Sequence, residues 1–355
     1  MNNQKICKWC KSERIEKIDK PISKYKKNIY YFDYCNNCEI KFAYCKSKKV
    51  KINYDAIQKN HSGYNMHIAD NKWIKSLFDN KERNFSINEM YTFLTTKTMD
   101  QRYIRAIEIA YEAYKKNKKL NILEVGCNLG YVGALFIKLK HNYLGIDVQN
   151  KAIKEAKKNY GSKYFKKIPF EKLNEKTKKK FDLICSFEVI EHLNNPRELV
   201  EFSIKNLKKN GEVVLSTPNG NYLPKDVWYS ELPPIHFSLF KEKTFKILRK
   251  KNLEVNFYNK YQFGFNIHFL RNLVYFKFIK FKKLLKKNTK QLVPTTDPNN
   301  KLFIYTFKNI SLQKRRSYNL IRLSSIINLF FSLIFATFNI APLAGQIFVR
   351  IKKKS

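Results

Sequence analysis

Two short cysteine pairs, Cys7-Lys8-Trp9-Cys10 and Cys35-Asn36-Asn37-Cys38, and one glycine turn, Gly126-Cys127-Asn128-Leu129-Gly130, carry most of the chemistry in this sequence. A C-x-x-C step lets both sulfurs bite one ion from a tight turn. Two such steps supply the four thiolates of a closed, tetrahedral Zn2+ site, with a redox C-x-x-C as the alternative. With every position filled by protein, such a site stabilises or recognises rather than reacts. In the glycine turn, backbone without a Cβ can come close to a ligand, and Asn128 tolerates the left-handed conformation better than most side chains. Glu124, just before the turn, suits a cationic aminoacyl group and would repel a pyrophosphate. Asp147 stands where a carboxylate can accept both hydroxyls of a ribose. Asn128 and Tyr131 occupy the places of the second and third glycines of the dinucleotide fingerprint, which therefore fails.

These residues need elements to hold them. Ile122, Leu123 and Val125 read as a buried strand, Val132, Leu135, Phe136 and Leu139 as a helix, and Tyr143–Ile146 as a second strand ending on Asp147. Helical spacing at 101–116 (Ile104, Ile107, Ile109, Ala110, Tyr114) predicts a helix packed beside the first strand. Residues 150–159 read as a further helix and Tyr164-Phe165 as a short strand. FDLICSF at 181–187 is a buried strand, and Asn195-Pro196 opens a helix carrying Leu199, Phe202 and Leu207. Asn210-Gly211 reads as that helix's end, with Gly at C′, before a strand at 212–216. A basic helix is expected at 241–251, a strand at 253–263 and a last strand at 346–351. The expected organisation is a ribbon at 1–45, a linker with helices at 46–118, an α/β core at 119–263, a basic and apolar insertion at 264–345, and a final core strand with basic tail at 346–355.

The turn and its leading acid resemble the first motif of class I S-adenosylmethionine-dependent methyltransferases, (D/E)-x-G-x-G-x-G, with Asn128 in place of the middle glycine. The run FDLI…EVIEHL…P at 181–196 is similar to the ubiquinone-biosynthesis O-methyltransferase family, and the resemblance covers residues 120–255. It implies a Rossmann-like α/β sheet, mostly parallel with its last strand antiparallel, here carrying a small N-terminal zinc ribbon and a helical C-terminal insertion. It also implies that Glu124, Gly126, Asn128, Gly130 and Asp147 hold S-adenosylmethionine, while Phe187 and Glu188 line the cofactor cleft. Glu191 and His192 would begin the next helix on the acceptor side, His192 either in chemistry or as a structural partner there. A metal on Glu188, Glu191 and His192 is a further reading. In the long loop at 217–240, Pro233-Pro234-Ile235-His236 is similar to a stretch in methyltransferases encoded among bacterial surface-polysaccharide genes. That makes His236 the first candidate for a general base and His192 the second. Methyl transfer to a hydroxyl is an in-line displacement from a sulfonium, and imidazole suits the proton that must leave.

The formal net charge of +41, from 70 Lys+Arg against 29 Asp+Glu, favours acidic partners: nucleic acid, an anionic membrane surface or a phosphorylated glycolipid. Residues 268–287 place Leu270, Val274, Phe278, Phe281 and Leu285 on one stripe of a basic amphipathic helix. That reads as membrane-surface binding, with a packed insertion or an RNA-binding stripe as alternatives. Between Arg322 and Arg350 there is no charge. A tail anchor is weighed there against an apolar helix to Ile340, a turn at Pro342 and the final strand. Seven cysteines and a polar start without a signal segment point to a reducing, cytoplasmic setting, and the basic amphipathic stretch adds peripheral contact with the inner face of the cell membrane as an option. The expected reaction is O-methylation of a sugar or glycolipid acceptor of cell-surface polysaccharide. The alternatives are an RNA- or tRNA-modifying methyltransferase, a small phenol or quinone O-methyltransferase, and a non-catalytic membrane-bound scaffold.

Overall fold

The computed structural model describes residues 6–46, 74–75, 78–79, 101–176, 180–220, 232–249, 252–258 and 346–354. The amphipathic stretch at 268–287, the uncharged stretch up to 345 and the loop residues 221–231 lie outside them. Among the described residues no helix is long and apolar enough to cross a membrane.

Residues 15–45 form the first sheet from β1 (Ile15–Tyr25), β2 (Asn28–Cys35) and β3 (Lys41–Cys45), all antiparallel. The main body opens with α1 (Ile104–Lys115) and continues through β4 (Asn121–Val125), α2 (Tyr131–Lys138), β5 (Asn142–Asp147), α3 (Asn150–Tyr160) and β6 (Phe165–Lys167). There follow α4 (Phe170–Lys176), β7 (Phe181–Phe187), a short turn of 3-10 helix at Ile190–His192, α5 (Pro196–Asn206) and β8 (Leu207–Pro218). The two-residue β9 (Ser238–Leu239), α6 (Glu242–Lys246), β10 (Leu253–Phe257) and β11 (Gln346–Lys353) complete it.

The large sheet has seven strands in the order β10-β11-β8-β7-β4-β5-β6. Strands β6, β5, β4, β7 and β8 run parallel, and β11 runs antiparallel to both β8 and β10. This is the doubly wound plan expected, with the closing antiparallel strand at Gln346–Lys353 where the sequence placed one. Alternation along the strands splits the core in two. Leu123, Val125, Ile184 and Val213 face α4, α5, α6 and the first sheet, whereas Ile122, Leu183, Cys185 and Val214 face α1, α2 and α3. Helix α2 is buried from Tyr131 through Phe136, which its uninterrupted apolar sequence requires.

Four local expectations are corrected. Helix α5 ends at Asn206, not at Asn210-Gly211, because Leu207 already pairs with Phe181 at the start of β8. Asn210 is left-handed (φ 60°) inside an irregularity of that strand, since an Asn-Gly step serves a strand bulge as well as a helix end. Helix α6 stops after Lys246, because the Arg249 guanidinium donates twice to the Val255 carbonyl and turns the chain into β10. Helix α1 buries Ile104, Ala106, Ile107, Ala110 and Ala113 and leaves Tyr114 exposed. Glu191 and His192 sit in the 3-10 turn that precedes α5 rather than in the helix itself.

Candidate functional site

The two sides of the crevice meet where the chain reverses its direction of winding, between β4 and β7, which is where open α/β sheets bind ligands. On one side, β4 delivers Gly126 into the turn. Gly126 (φ 79°), Asn128 (φ 47°) and Gly130 (φ 77°) are all left-handed, so asparagine adopts the conformation that the missing glycine would have had. A Cβ on Gly130 would come within 2.6 Å of the Phe165 ring. The Gly126 and Cys127 amides donate to the Ile146 carbonyl, which ties the turn to β5. Asp147, at the end of β5, accepts from the Asn128 amide (3.0 Å) and the Gln149 amide (2.8 Å). Burial pushes its carboxyl above the ordinary range, and those amides oppose the shift.

Glu124 lies beneath the turn, 3% exposed, and accepts the Tyr143 hydroxyl at 2.6 Å. That hydroxyl runs through a notch at Gly133 and Gly145, where a Cβ on either would come within 2.4 Å of Tyr143. Burial raises the Glu124 carboxyl to about 8, against the lowering effect of Tyr143. Phe187 ends β7 and meets Tyr103 edge-on with centroids 4.8 Å apart; the Tyr103 and Tyr131 hydroxyls are bonded to each other. Nothing in the spacing of the sequence pairs those two tyrosines. Glu188 is left-handed (φ 55°) and accepts the Ser216 hydroxyl at 2.9 Å.

On the other side, Glu191, His192 and His236 come together, with their ligand atoms within 4.8 Å of one another. Both Nε2 atoms face Glu191 Oε1, His192 at 3.9 Å and His236 at 4.0 Å, and the rings stand 4.6 Å apart. Thr217, at the end of β8, donates to Glu191 Oε2 at 3.0 Å. His192 Nδ1 lies 2.7 Å from the Ile235 carbonyl; it carries the proton, so Nε2 is the basic nitrogen. Burial holds the His192 pKa below the ordinary imidazole value. The three-residue set therefore includes His236 where the sequence suggested Glu188, which instead turns to β8. Loop and turn meet only in the folded chain, and no spacing rule announces that.

The four cysteine sulfurs also lie within 4.8 Å of one another. Cys7 and Cys38 sulfurs are 3.7 Å apart and those of Cys10 and Cys35 are 3.5 Å apart, near the roughly 3.8 Å edge of a tetrahedron with ordinary Zn–S bonds. The two knuckles repeat one geometry. Lys11 and Glu39 are left-handed, their amides donate to the Cys7 and Cys35 carbonyls, and the Cys7 and Cys35 amides donate to Ser12 and Ile40. The hydrogen bond from the Cys38 thiol holds the Cys7 thiol below the ordinary thiol range.

Residues 96–256 match a family model described as a methyltransferase domain. Among curated relatives, the ubiquinone biosynthesis O-methyltransferase of Pelagibacter ubique is 36% identical over 109 residues, 30% of this chain and 45% of the relative. The enzyme of the same name from Rickettsia conorii is 25% identical over 182 residues, 48% of this chain and 59% of the relative. The chain thus spans about half the length of the curated relatives it matches. Among solved structures, the plantazolicin methyltransferase BamL, in complex with a triazolic desmethylPZN analog and SAH, aligns with TM-score 0.40 and 15% identity. That alignment covers 85% of this chain and 99% of BamL.

Proposed function

We propose that the chain is a class I S-adenosylmethionine-dependent methyltransferase, a reading supported by the methyltransferase-domain match over residues 96–256, and that it moves the cofactor's methyl group to a hydroxyl oxygen of a sugar or glycolipid acceptor. The observation that carries O-methylation is the cluster of Glu191 and His192, in the 3-10 turn after β7, with His236, just before β9; Val189, next to that turn, packs against Gly126 of the glycine turn. An alcohol is a weak nucleophile until its proton is removed, and two imidazoles backed by a buried carboxylate are suited to that task. As the acceptor oxygen bonds to the methyl carbon, the C–S bond breaks toward S-adenosylhomocysteine, and the hydroxyl proton passes to Nε2 of His236 or His192. Glu191 favours the resulting imidazolium. One carboxylate and two imidazoles also suit a divalent transition metal, which when bound would lower the pKa of a coordinated hydroxyl.

On the cofactor side, Asp147 is read as the ribose acceptor. The left-handed turn at Gly126, Asn128 and Gly130 serves as the close backbone approach, with Phe187 and Glu188 flanking the cleft. The net charge of +41 favours a phosphorylated glycolipid as acceptor, reached at the inner face of a membrane. We infer that Cys7, Cys10, Cys35 and Cys38 hold Zn2+, from the donor set and its spacing. A phenol or quinone acceptor is the second reading, favoured by the names of the curated relatives. The test is to incubate the protein with methyl-labelled S-adenosylmethionine and lipid-linked glycans, catechols or bulk RNA. Label in the glycan fraction is expected; label in catechol alone establishes the second reading, and label in RNA refutes both.

A further inference from the structure

The cysteine ribbon is bound to the main body through more contacts than a tethered module would require, and they converge on the loop that bears His236. Trp9, between the cysteines of the first knuckle, is 1% exposed. Its indole N–H donates to the Thr244 carbonyl at 2.6 Å, and its ring meets Phe240 and Phe245 edge-on at 5.5 and 5.4 Å. The Thr244 hydroxyl donates to the Cys38 carbonyl at 2.9 Å and accepts the Lys241 amide at 3.1 Å. Glu39, next to Cys38, takes Lys241 and Lys243 at 2.9 Å each. Strand β3 pairs with β9, and the Ser23 hydroxyl donates to the Pro233 carbonyl. Phe237 links the two regions. Its carbonyl accepts the Ala43 amide of the ribbon, and its own amide donates to the Glu191 carbonyl, both at 2.7 Å. His236 is the preceding residue.

A two-residue strand and a five-residue helix do not hold themselves in place, and their order must come from what they pack against. The ribbon in turn is too small to be stable without a staple. We propose that the cysteine ribbon is a clamp that fixes His236 opposite Glu191, and hence a positioning element of the acceptor site rather than a separate recognition module. The function of the clamp rests on reading Glu191, His192 and His236 as that site; its mechanics do not.

Amide hydrogen exchange on the zinc-loaded, full-length chain tests it, alongside titration with S-adenosylhomocysteine. One arm strips zinc with a chelator; the other is Thr244→Val, which keeps all four cysteines and removes both Thr244 hydroxyl bonds. Exchange at the Phe237 and Ala43 amides should accelerate at least about tenfold, the loss of roughly one net hydrogen bond, in both arms. The Gly126 and Cys127 amides should stay protected, and S-adenosylhomocysteine affinity should hold within about twofold. Unchanged exchange at Phe237 and Ala43 in both arms would overturn the clamp. So would equal loss of protection through β4 and β5, which would make the ribbon a support for the whole domain. If the parent protein fails to bind S-adenosylhomocysteine, the methyltransferase reading falls, and the exchange pattern still decides the clamp.

Discussion

The glycine turn takes its shape from one continuous stretch, residues 124–147, whereas the Glu191–His192–His236 cluster is held by segments as distant as Cys38 and Thr244. The first is built from left-handed backbone and strand ends, so it forms wherever β4, α2 and β5 form. The second exists only when the ribbon, the 232–246 segment and the 3-10 turn after β7 dock together. On the proposed reading, the cofactor pocket is inherited from a strand–turn–helix unit, while the acceptor pocket is assembled by long-range contacts. Binding of the cofactor and turnover of the acceptor should therefore be separable by mutation.

The strongest break in that comparison comes from His236→Ala. Removing a general base costs about 10^2- to 10^4-fold in turnover, and single-turnover methyl transfer should fall by that much while S-adenosylhomocysteine titrates as in the parent. A fall of less than tenfold would leave His192 as the principal proton acceptor. Trp9→Ala follows. Loss of a buried indole typically costs about 3–5 kcal/mol, to be read as a lower urea midpoint. The first segments to open should be 7–45 and 232–246, with β4 and β5 opening later.

A titration sharpens the cofactor side. In the cofactor-free fold Glu124 keeps its proton up to about pH 8, while the unfolded chain releases it near 4.5. The native state thus binds more protons between those values, and this group's contribution to stability falls as pH rises from 4.5 toward 8. Glu124→Gln should remove that fall, so the variant should gain on its parent with rising pH in urea unfolding. His192 works in the opposite sense, its lowered pKa costing stability as pH drops below 6.5, and the comparison between variant and parent isolates Glu124. The smallest effect is expected of Asn128→Gly. Since Asn128 already sits at φ 47°, the change should alter both stability and cofactor affinity by less than about 1 kcal/mol, measured by the same unfolding and titration.

What the sequence made legible follows the same division. The βαβ unit, the parallel run and the last strand at 346–353 were readable because periodicity and turn chemistry are local. The pairing of Cys7–Cys10 with Cys35–Cys38 was readable because metal-ligand spacing is also local. Where signals were shared between two structures, the reading slipped: Asn210-Gly211 marks a strand irregularity here, and α6 is cut short by Arg249 reaching Val255. Long-range partners left no mark. Nothing near Trp9 announces Thr244, and nothing near Glu191 announces His236, because each pair is joined by packing and backbone hydrogen bonds across the fold.

The measurement that bears most directly on the methyltransferase reading is calorimetric titration of the folded, zinc-loaded protein with S-adenosylmethionine and S-adenosylhomocysteine, beside Asp147→Ala. Micromolar binding is predicted. With Asp147 proposed as the acceptor of both ribose hydroxyls, its replacement should weaken binding about 100-fold or more. Absence of binding by the parent protein, or equal binding by Asp147→Ala, would contradict the account.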